Sequence, residues 1–351
     1  MSDKTNRGNF FEDFMPGQVL RHATPRTVTE GEIALYTALY GNRFALHSSD
    51  MVAMALGYDG MPVDDMLVFH IVFGKTVPDI SLNAVANLGY ADGRFGVPVY
   101  PGDTLSAQSE VIGVKENSNG KTGVVWVRTT GTNQRGEEVL SYVRWVMVRK
   151  GDEGAAAPAP QVPDLPAAVA VQDLTAPSCL MLSAYDEIAA GSAHFWDDYA
   201  VGEKIDHVDG MTLEEAEHML ATRLYQNTAK VHFDLHAQKD GRFGKRLIYG
   251  GHIISLARSL SYNGLANAFH IAAINGGRHV APSFAGDTVY AWSEVLDKAA
   301  LPGRDDVGAL RLRLVAAKDH PCIDFPLKDP DGKDHPAVVL DVDIWALMPR
   351  R

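Results

Sequence analysis

Tyr225-Gln226-Asn227-Thr228-Ala229-Lys230-Val231-His232-Phe233-Asp234 restates, 185 positions later, the frame of Tyr40-Gly41-Asn42-Arg43-Phe44-Ala45-Leu46-His47-Ser48-Ser49-Asp50. Each copy carries a tyrosine, then Asn, then His at Asn-x4-His spacing. The correspondence extends outward. Phe10-Phe11-Glu12-Asp13-Phe14 with Gly17 returns as Phe195-Trp196-Asp197-Asp198-Tyr199 with Gly202, and Thr27-x-x-Glu30 as Thr212-x-x-Glu215, at the same offset. Downstream, Gly93-Arg94-x3-Pro98-x3-Gly102-Asp103-Thr104 matches Gly277-Arg278-x3-Pro282-x3-Gly286-Asp287-Thr288, and Ser109-Glu110-Val111 matches Ser293-Glu294-Val295, now 184 apart. Segments held in register over such a length, with one residue of indel, are a duplicated domain. The positions both copies kept are where chemistry should be sought.

Within each copy the signals come in one order. Thr27-x-x-Glu30 and Thr212-x-x-Glu215 read as capping boxes opening amphipathic helices that carry Ile33, Tyr36, Leu39 and Tyr40, or Met219, Leu220 and Leu224. The Asn-x4-His segment follows as a loop or broken helix. A longer apolar helix comes next, over 65–74 and 251–262, and then β-rich runs that include 123–130, 139–148 and 309–316. One long helix followed by a meander of strands is an α+β arrangement, a sheet wrapped around a central helix. The halves are assigned to residues 1–150 and 195–351. Between them, 151–194 forms a connector whose Ala- and Pro-rich stretch, 151–168, should be extended, with a short helix over 183–192.

Composition narrows the function. Of 351 residues, 46% are apolar and 22% charged, as in a globular protein, and the net charge of −12 argues against a nucleic-acid surface. Cys179 and Cys322 make neither a disulfide framework nor a metal site and read as free thiols. Thirteen histidines show no metal-ligand spacing with carboxylates, so no metal is expected. No apolar stretch reaches membrane-spanning length and no signal-peptide core opens the chain, so a cytoplasmic location is expected. An acidic protein that binds a polyanionic ligand must gather its cations locally, and Lys239-Asp240-Gly241-Arg242-Phe243-Gly244-Lys245-Arg246 is the densest basic run.

The Asn-x4-His segments, each with an Asp shortly after, resemble the Gly-Asp-x-Asn-Pro-Leu-His signature of the MaoC-like (R)-specific enoyl-CoA hydratases. The Pro-x3-Gly-Asp-Thr turns and Ile248-Tyr249-Gly250-Gly251-His252 resemble that family's strand turn and helix opening. The resemblance covers nearly the whole chain and implies two hot-dog domains in tandem, a CoA-thioester substrate, no separate cofactor and a homodimer. Gly74-Lys75-Thr76-Val77-Pro78-Asp79-Ile80-Ser81, Ala86-Asn87-Leu88-Gly89-Tyr90 and Asn227–Phe233 are most similar to the mesaconyl-CoA hydratase branch, also called β-methylmalyl-CoA dehydratases. That similarity implies reversible dehydration of β-methylmalyl-CoA in the ethylmalonyl-CoA route of acetate assimilation.

By the same resemblance His232 is the proton-transfer residue, Asn227 its water-positioning partner, and the Gly251 amide the donor to the thioester carbonyl. His47 and Asn42 are the second choice. Gly250, Arg242, Lys245, Arg246, Arg278 and Arg94 are candidates for binding substrate. The family's catalytic Asp is Asn in both copies, and a carboxamide cannot accept a proton. At the helix start, moreover, the first copy has Asp65 where a donor is wanted, which favours the second copy as the catalytic one. Bland readings stand beside these. Either histidine could simply satisfy a loop carbonyl, and Arg94 and Arg278 could pair with Asp103 and Asp287 to brace the turn. The rival functions are a silent acyl-CoA-binding protein, favoured by the double Asn, and a hydratase for another enoyl-CoA.

Overall fold

In the computed structural model, which describes residues 4–351, ten antiparallel strands form one sheet. The first half supplies β1 (Val19–Thr27), β2 (Ala84–Phe95), β3 (Thr104–Glu116), β4 (Thr122–Thr132) and β5 (Glu138–Arg149). The second supplies β6 (Lys204–Thr212), β7 (His270–His279), β8 (Thr288–Ala300), β9 (Val307–Lys318) and β10 (Val338–Pro349). Their order, β1-β3-β4-β5-β2-β7-β10-β9-β8-β6, is a palindrome: the second half runs the first half's order backwards from the β2–β7 seam. There Tyr90 faces Gly277 and Arg94 faces Ala273. Pairing the two inner edges removes two exposed strand edges, which would otherwise invite association.

Each half wraps a helix. Every residue of the Asp65–Thr76 helix is buried, and every residue of the Gly250–Leu260 helix after the first. Helices buried on every side belong inside a fold, and both contribute to one apolar core with Tyr36, Leu39 and Leu224. Each fully buried Leu or Ile there contributes roughly 1.5–3 kcal/mol, so the halves share their stability. Two polar contacts mark the axis that relates the copies. Tyr40 Oη meets Tyr225 Oη at 2.6 Å and His70 Nε2 meets Ser255 Oγ at 2.9 Å, each pair joining residues 185 apart. The α+β double hot-dog expected from the sequence is the architecture observed.

Local details differ from the sequence reading. The first capping box is Thr29 with Glu32, two residues beyond Thr27 and Glu30, and the helix runs Glu30–Tyr40. In the second half the Glu215–Leu224 helix has no side-chain cap at all. Thr27 and Thr212 instead end β1 and β6, their hydroxyls bonded to Thr104 and Thr288 at 2.7 and 2.8 Å. The connector is extended as expected, but it is strapped down. The backbone of Gln161 exchanges two 2.8 Å bonds with that of Val114, and the Val169 carbonyl accepts from Trp345 Nε1 at 3.2 Å. Its short helix is only Glu187–Ala190, closed by Gly191 at φ 86°.

The repeated Gly-Asp turns are also alike in detail. Gly102 and Gly286 both adopt φ 96°, a conformation that favours glycine. Asp103 and Asp287 accept the amides of Tyr100 and Phe284, each at 2.9 Å. These aspartates close their own turns, and the Arg94–Asp103 and Arg278–Asp287 pairs do not form. Among the described residues no helix is long and apolar enough to cross a membrane, and no group of His, Cys, Asp and Glu is placed to hold a metal ion.

Candidate active site

The Gly250–Leu260 helix starts at a cavity of about 550 Å³ on whose wall Asn227, His232, Gly250 and Arg242 come together. His232 rides on a short helical turn, Lys230–Phe233. Its Nδ1 lies 3.0 Å from the Leu247 carbonyl, which can only accept, so Nδ1 carries the proton and Nε2 keeps its lone pair. Burial pushes this imidazole down to about 4, leaving it neutral at pH 7. Asn227 is almost fully buried, and its Oδ1 accepts the Ala229 amide at 3.0 Å. That bond closes the turn leading to His232 and fixes the orientation of the carboxamide, leaving Nδ2 as the free group. Asn227 therefore offers the cavity a donor with which to position a water.

At the helix start the first amides have no carbonyl of their own helix to bond. Gly250 is the first helical residue and lines the cavity, whereas Gly251, chosen from the sequence, sits one place behind it. Asp65 likewise opens its own helix, so its counterpart is Gly250. Neither glycine has room for a side chain. A Cβ on Gly250 would lie 2.2 Å from His279 Cε1, and one on Gly251 2.4 Å from Tyr249 Cε1 and 2.6 Å from His70 Cε1. His218 secures the approach, its Nε2 accepting the Tyr249 amide at 2.9 Å. Sequence reasoning missed this residue. Its signal was a histidine at the position where the first copy has Ile33.

The first copy builds the same two bonds and then fills the space. Asn42 Oδ1 accepts the Phe44 amide at 3.0 Å, and His47 Nδ1 donates to the Pro62 carbonyl at 3.2 Å. Asn42 Nδ2, however, is bonded to Asp64. Asp65 turns its carboxylate to the Ile271 amide at 2.8 Å and His270 Nδ1 at 3.0 Å, 3.8 Å from His47 Nε2. The space beside His47 is about 20 Å³, room for little more than one water.

The cavity carries positive charge. Arg149, Lys230 and Arg242 line it from exposed positions, Arg144 from a buried one, and no Asp or Glu is among its lining residues. The other arginines and lysine singled out from the sequence are elsewhere. Lys245 sits over the Phe284 ring at 4.1 Å, and Arg246 is ion-paired to Glu215. Arg94 pairs with Asp92 and Asp173 at 3.0 and 3.3 Å, and Arg278 grips Asp334 through two 2.7 Å bonds. The basic run 239–246 thus contributes Arg242 to the cavity, and the remaining cations come from β5 and from the Asn-x4-His segment itself.

A family model described as Mesaconyl-CoA hydratase matches residues 1–323. The β-methylmalyl-CoA dehydratase of Chloroflexus aurantiacus is 67% identical over 351 residues, 100% of both chains. The mesaconyl-CoA hydratase of Cereibacter sphaeroides is 65% identical, covering 99% of this chain and all of that one. Among solved structures, a chain described as a MaoC domain protein dehydratase from Chloroflexus aurantiacus superposes with a TM-score of 0.98 at 67% identity, over 100% of both chains. A Mycobacterium tuberculosis protein with a double hot-dog fold gives 0.74 at 25% identity, over 98% of this chain and 99% of that one. The chain belongs to the mesaconyl-CoA hydratase family, on the double hot-dog architecture of the MaoC-like dehydratases.

Proposed function

We propose that this chain interconverts β-methylmalyl-CoA and mesaconyl-CoA by removing and adding water, in the cavity at the start of the Gly250–Leu260 helix. The observation that carries this reading is a neutral His232, its Nε2 free, beside the Asn227 donor and the amides of a helix N-terminus. In the dehydration direction, Nε2 takes the proton α to the thioester carbonyl. The electron pair of that C–H bond becomes the C=C bond as the C–O bond of the neighbouring carbon breaks. The imidazolium returns its proton to the departing hydroxyl, giving water and neutral His232. Charge that develops on the thioester oxygen is met by the Gly250 amide and the positive end of the helix dipole. Asn227 Nδ2 holds the hydroxyl oxygen, or the attacking water in reverse, and with no carboxylate nearby His232 acts as both base and acid. No cofactor takes part, since coenzyme A arrives on the substrate.

Adding mesaconyl-CoA to purified protein should lower the ultraviolet absorbance of the enoyl thioester as water adds. A protein that binds the thioester without any such decay would be the silent acyl-CoA binder instead. The exposed cations at the cavity should hold the coenzyme A phosphates. Replacing Arg149, Lys230 and Arg242 together by Ala is expected to raise KM by about tenfold at low salt and leave kcat within a few-fold, because such contacts hold ground and transition states alike. An unchanged KM places the phosphates elsewhere.

A further inference from the structure

Arg144 differs from the other cations of the cavity. It stands on β5 with no exposed surface. Its Nη2 donates to Thr76 Oγ1 at 2.6 Å, Nη1 and Nη2 reach Ser81 Oγ only at 3.4 Å, and the Phe73 ring lies 4.3 Å from Cζ. Among the described residues no carboxylate pairs with it, and its Nε–H has no acceptor. Burial disfavours the charge, although a guanidinium remains protonated. A buried, unpaired charge is among the more destabilising things a fold can contain. Two neighbours on the cavity wall are also unsatisfied, the whole Asn87 carboxamide and the Tyr249 hydroxyl.

The architecture does not require an arginine at this position. Arg144 faces Tyr90 across the β2–β5 pair, and the counterparts in the second copy, Ile344 facing Ile274 across β7–β10, are both aliphatic. The same place in the same sheet is therefore filled once by a cation and once by a hydrocarbon. Arg144 also shares an aromatic wall with His232: Phe73 touches the Tyr249 ring at 5.8 Å, and Tyr249 touches the His232 ring at 5.4 Å.

We infer that Arg144 binds the free carboxylate of the substrate and makes this cavity selective for dicarboxylic acyl thioesters. The inference rests on the proposed reaction, because mesaconyl and β-methylmalyl groups are methyl-branched five-carbon diacids with one carboxyl left free. Coenzyme A must trail towards solvent, past Arg149, Lys230 and Arg242, so the acyl end lies at the buried side, where Arg144 is. A guanidinium offers a planar fork that matches a carboxylate. Binding would supply the missing counter-charge, and the Asn87 carboxamide and Tyr249 hydroxyl could complete the carboxylate's hydrogen bonds. An uncharged acyl group would leave the cation unpaired, so exclusion of such substrates follows from the same feature.

The test compares mesaconyl-CoA with the thioester in which a methyl group replaces the free carboxylate. The wild-type protein must first hydrate mesaconyl-CoA, and if it does not, the proposed function itself fails. Given that activity, R144M should lower kcat/KM for mesaconyl-CoA on the order of 10²–10³-fold, as loss of a buried charge contact does. It should leave the methyl analogue unchanged or improved, with a melting temperature no lower than wild type, since an apolar residue of similar size replaces an unpaired charge. R144K, which keeps the charge but loses the fork, should fall between and retain the preference for mesaconyl-CoA. Equal losses on both substrates in R144M, or a variant that fails to fold, would assign Arg144 a structural role and overturn the inference. Unchanged selectivity in R144K and R144M together would do the same.

Discussion

His232→Ala is expected to lose on the order of 10²–10⁴-fold in kcat, the usual weight of a general acid–base, whereas His47→Ala should stay within a few-fold of wild type. The two histidines have the same local bonding: Nδ1 held by a backbone carbonyl, Nε2 turned inward. Their surroundings differ. Nε2 of His232 belongs to a cavity that accommodates an acyl chain, while that of His47 is 3.8 Å from Asp65 in a space too small for one. The measurement is steady-state hydration followed by enoyl absorbance, with matched melting curves to show that both variants fold. An inactive His47→Ala beside a normal His232→Ala would move the active site to the first copy. Asn227 gives a finer test. Asn227→Asp keeps the acceptor for the Ala229 amide and adds an anion beside a neutral imidazole, which should raise the histidine pKa and move the acid limb of the rate profile upward. Asn227→Leu loses both the turn closure and the donor, and should be nearly inactive.

The duplication was legible because both copies kept their punctuation: paired glycines, the Gly-Asp turns, and Asn-x4-His. From it follow the palindromic sheet and the two central helices, whose long apolar runs put their bounds within about two residues of those observed. Capping was misread because the sequence offers two overlapping boxes, Thr27 with Glu30 and Thr29 with Glu32. Only the fold shows that Thr27 is still in β1, bonded to Thr104. The basic run misled for a related reason. A count of charges records where cations lie along the chain, while Arg246 had Glu215 within reach and Lys245 the Phe284 ring. Arg144 carries its own signal in the sequence. It falls in phase with Leu140, Tyr142, Val146 and Val148 on a strand, the phase that faces inward, where an arginine demands an explanation. The candidate site was half legible, since motif spacing points to Asn227, His232 and the helix start, whereas which of Gly250 and Gly251 lines the cavity depends on where the helix begins.

The protein is expected to lose stability steeply as pH falls below about 6.5. Burial drives the imidazoles of His70 and His218 down to about 3 and those of His207, His232, His252 and His279 to about 4. Several of them also oppose one another's protonation: His252 and His279 act on His70, and His252 and His232 act on His218. In the unfolded chain each titrates near 6.5. Between about pH 4 and 6.5 the unfolded state therefore binds more protons than the folded one, so stability rises with pH through that window and is lost on the way down. The depressed carboxyls, Asp65, Glu137, Asp198, Asp306, Asp324 and Asp334, are ionised in both states until pH approaches 4, so they add little to the slope above pH 5. Each histidine contributes about 1.4 kcal/mol per pH unit, and six of them reach on the order of 10 kcal/mol by pH 5, comparable with the whole stability of a typical domain. Melting temperature measured from pH 8 to pH 5 should hold steady above 7 and then drop sharply, with uptake of several protons on unfolding near pH 5.5. His207→Gln provides a control outside the catalytic cavity, because that ring bonds Ser293 and the Asn263 carbonyl. It should reduce the uptake by about one proton. A melting temperature unchanged between pH 7 and pH 5 would mean that these rings take up protons as readily in the folded chain as in the unfolded one, and the downward pull of burial on His232 would fall with it.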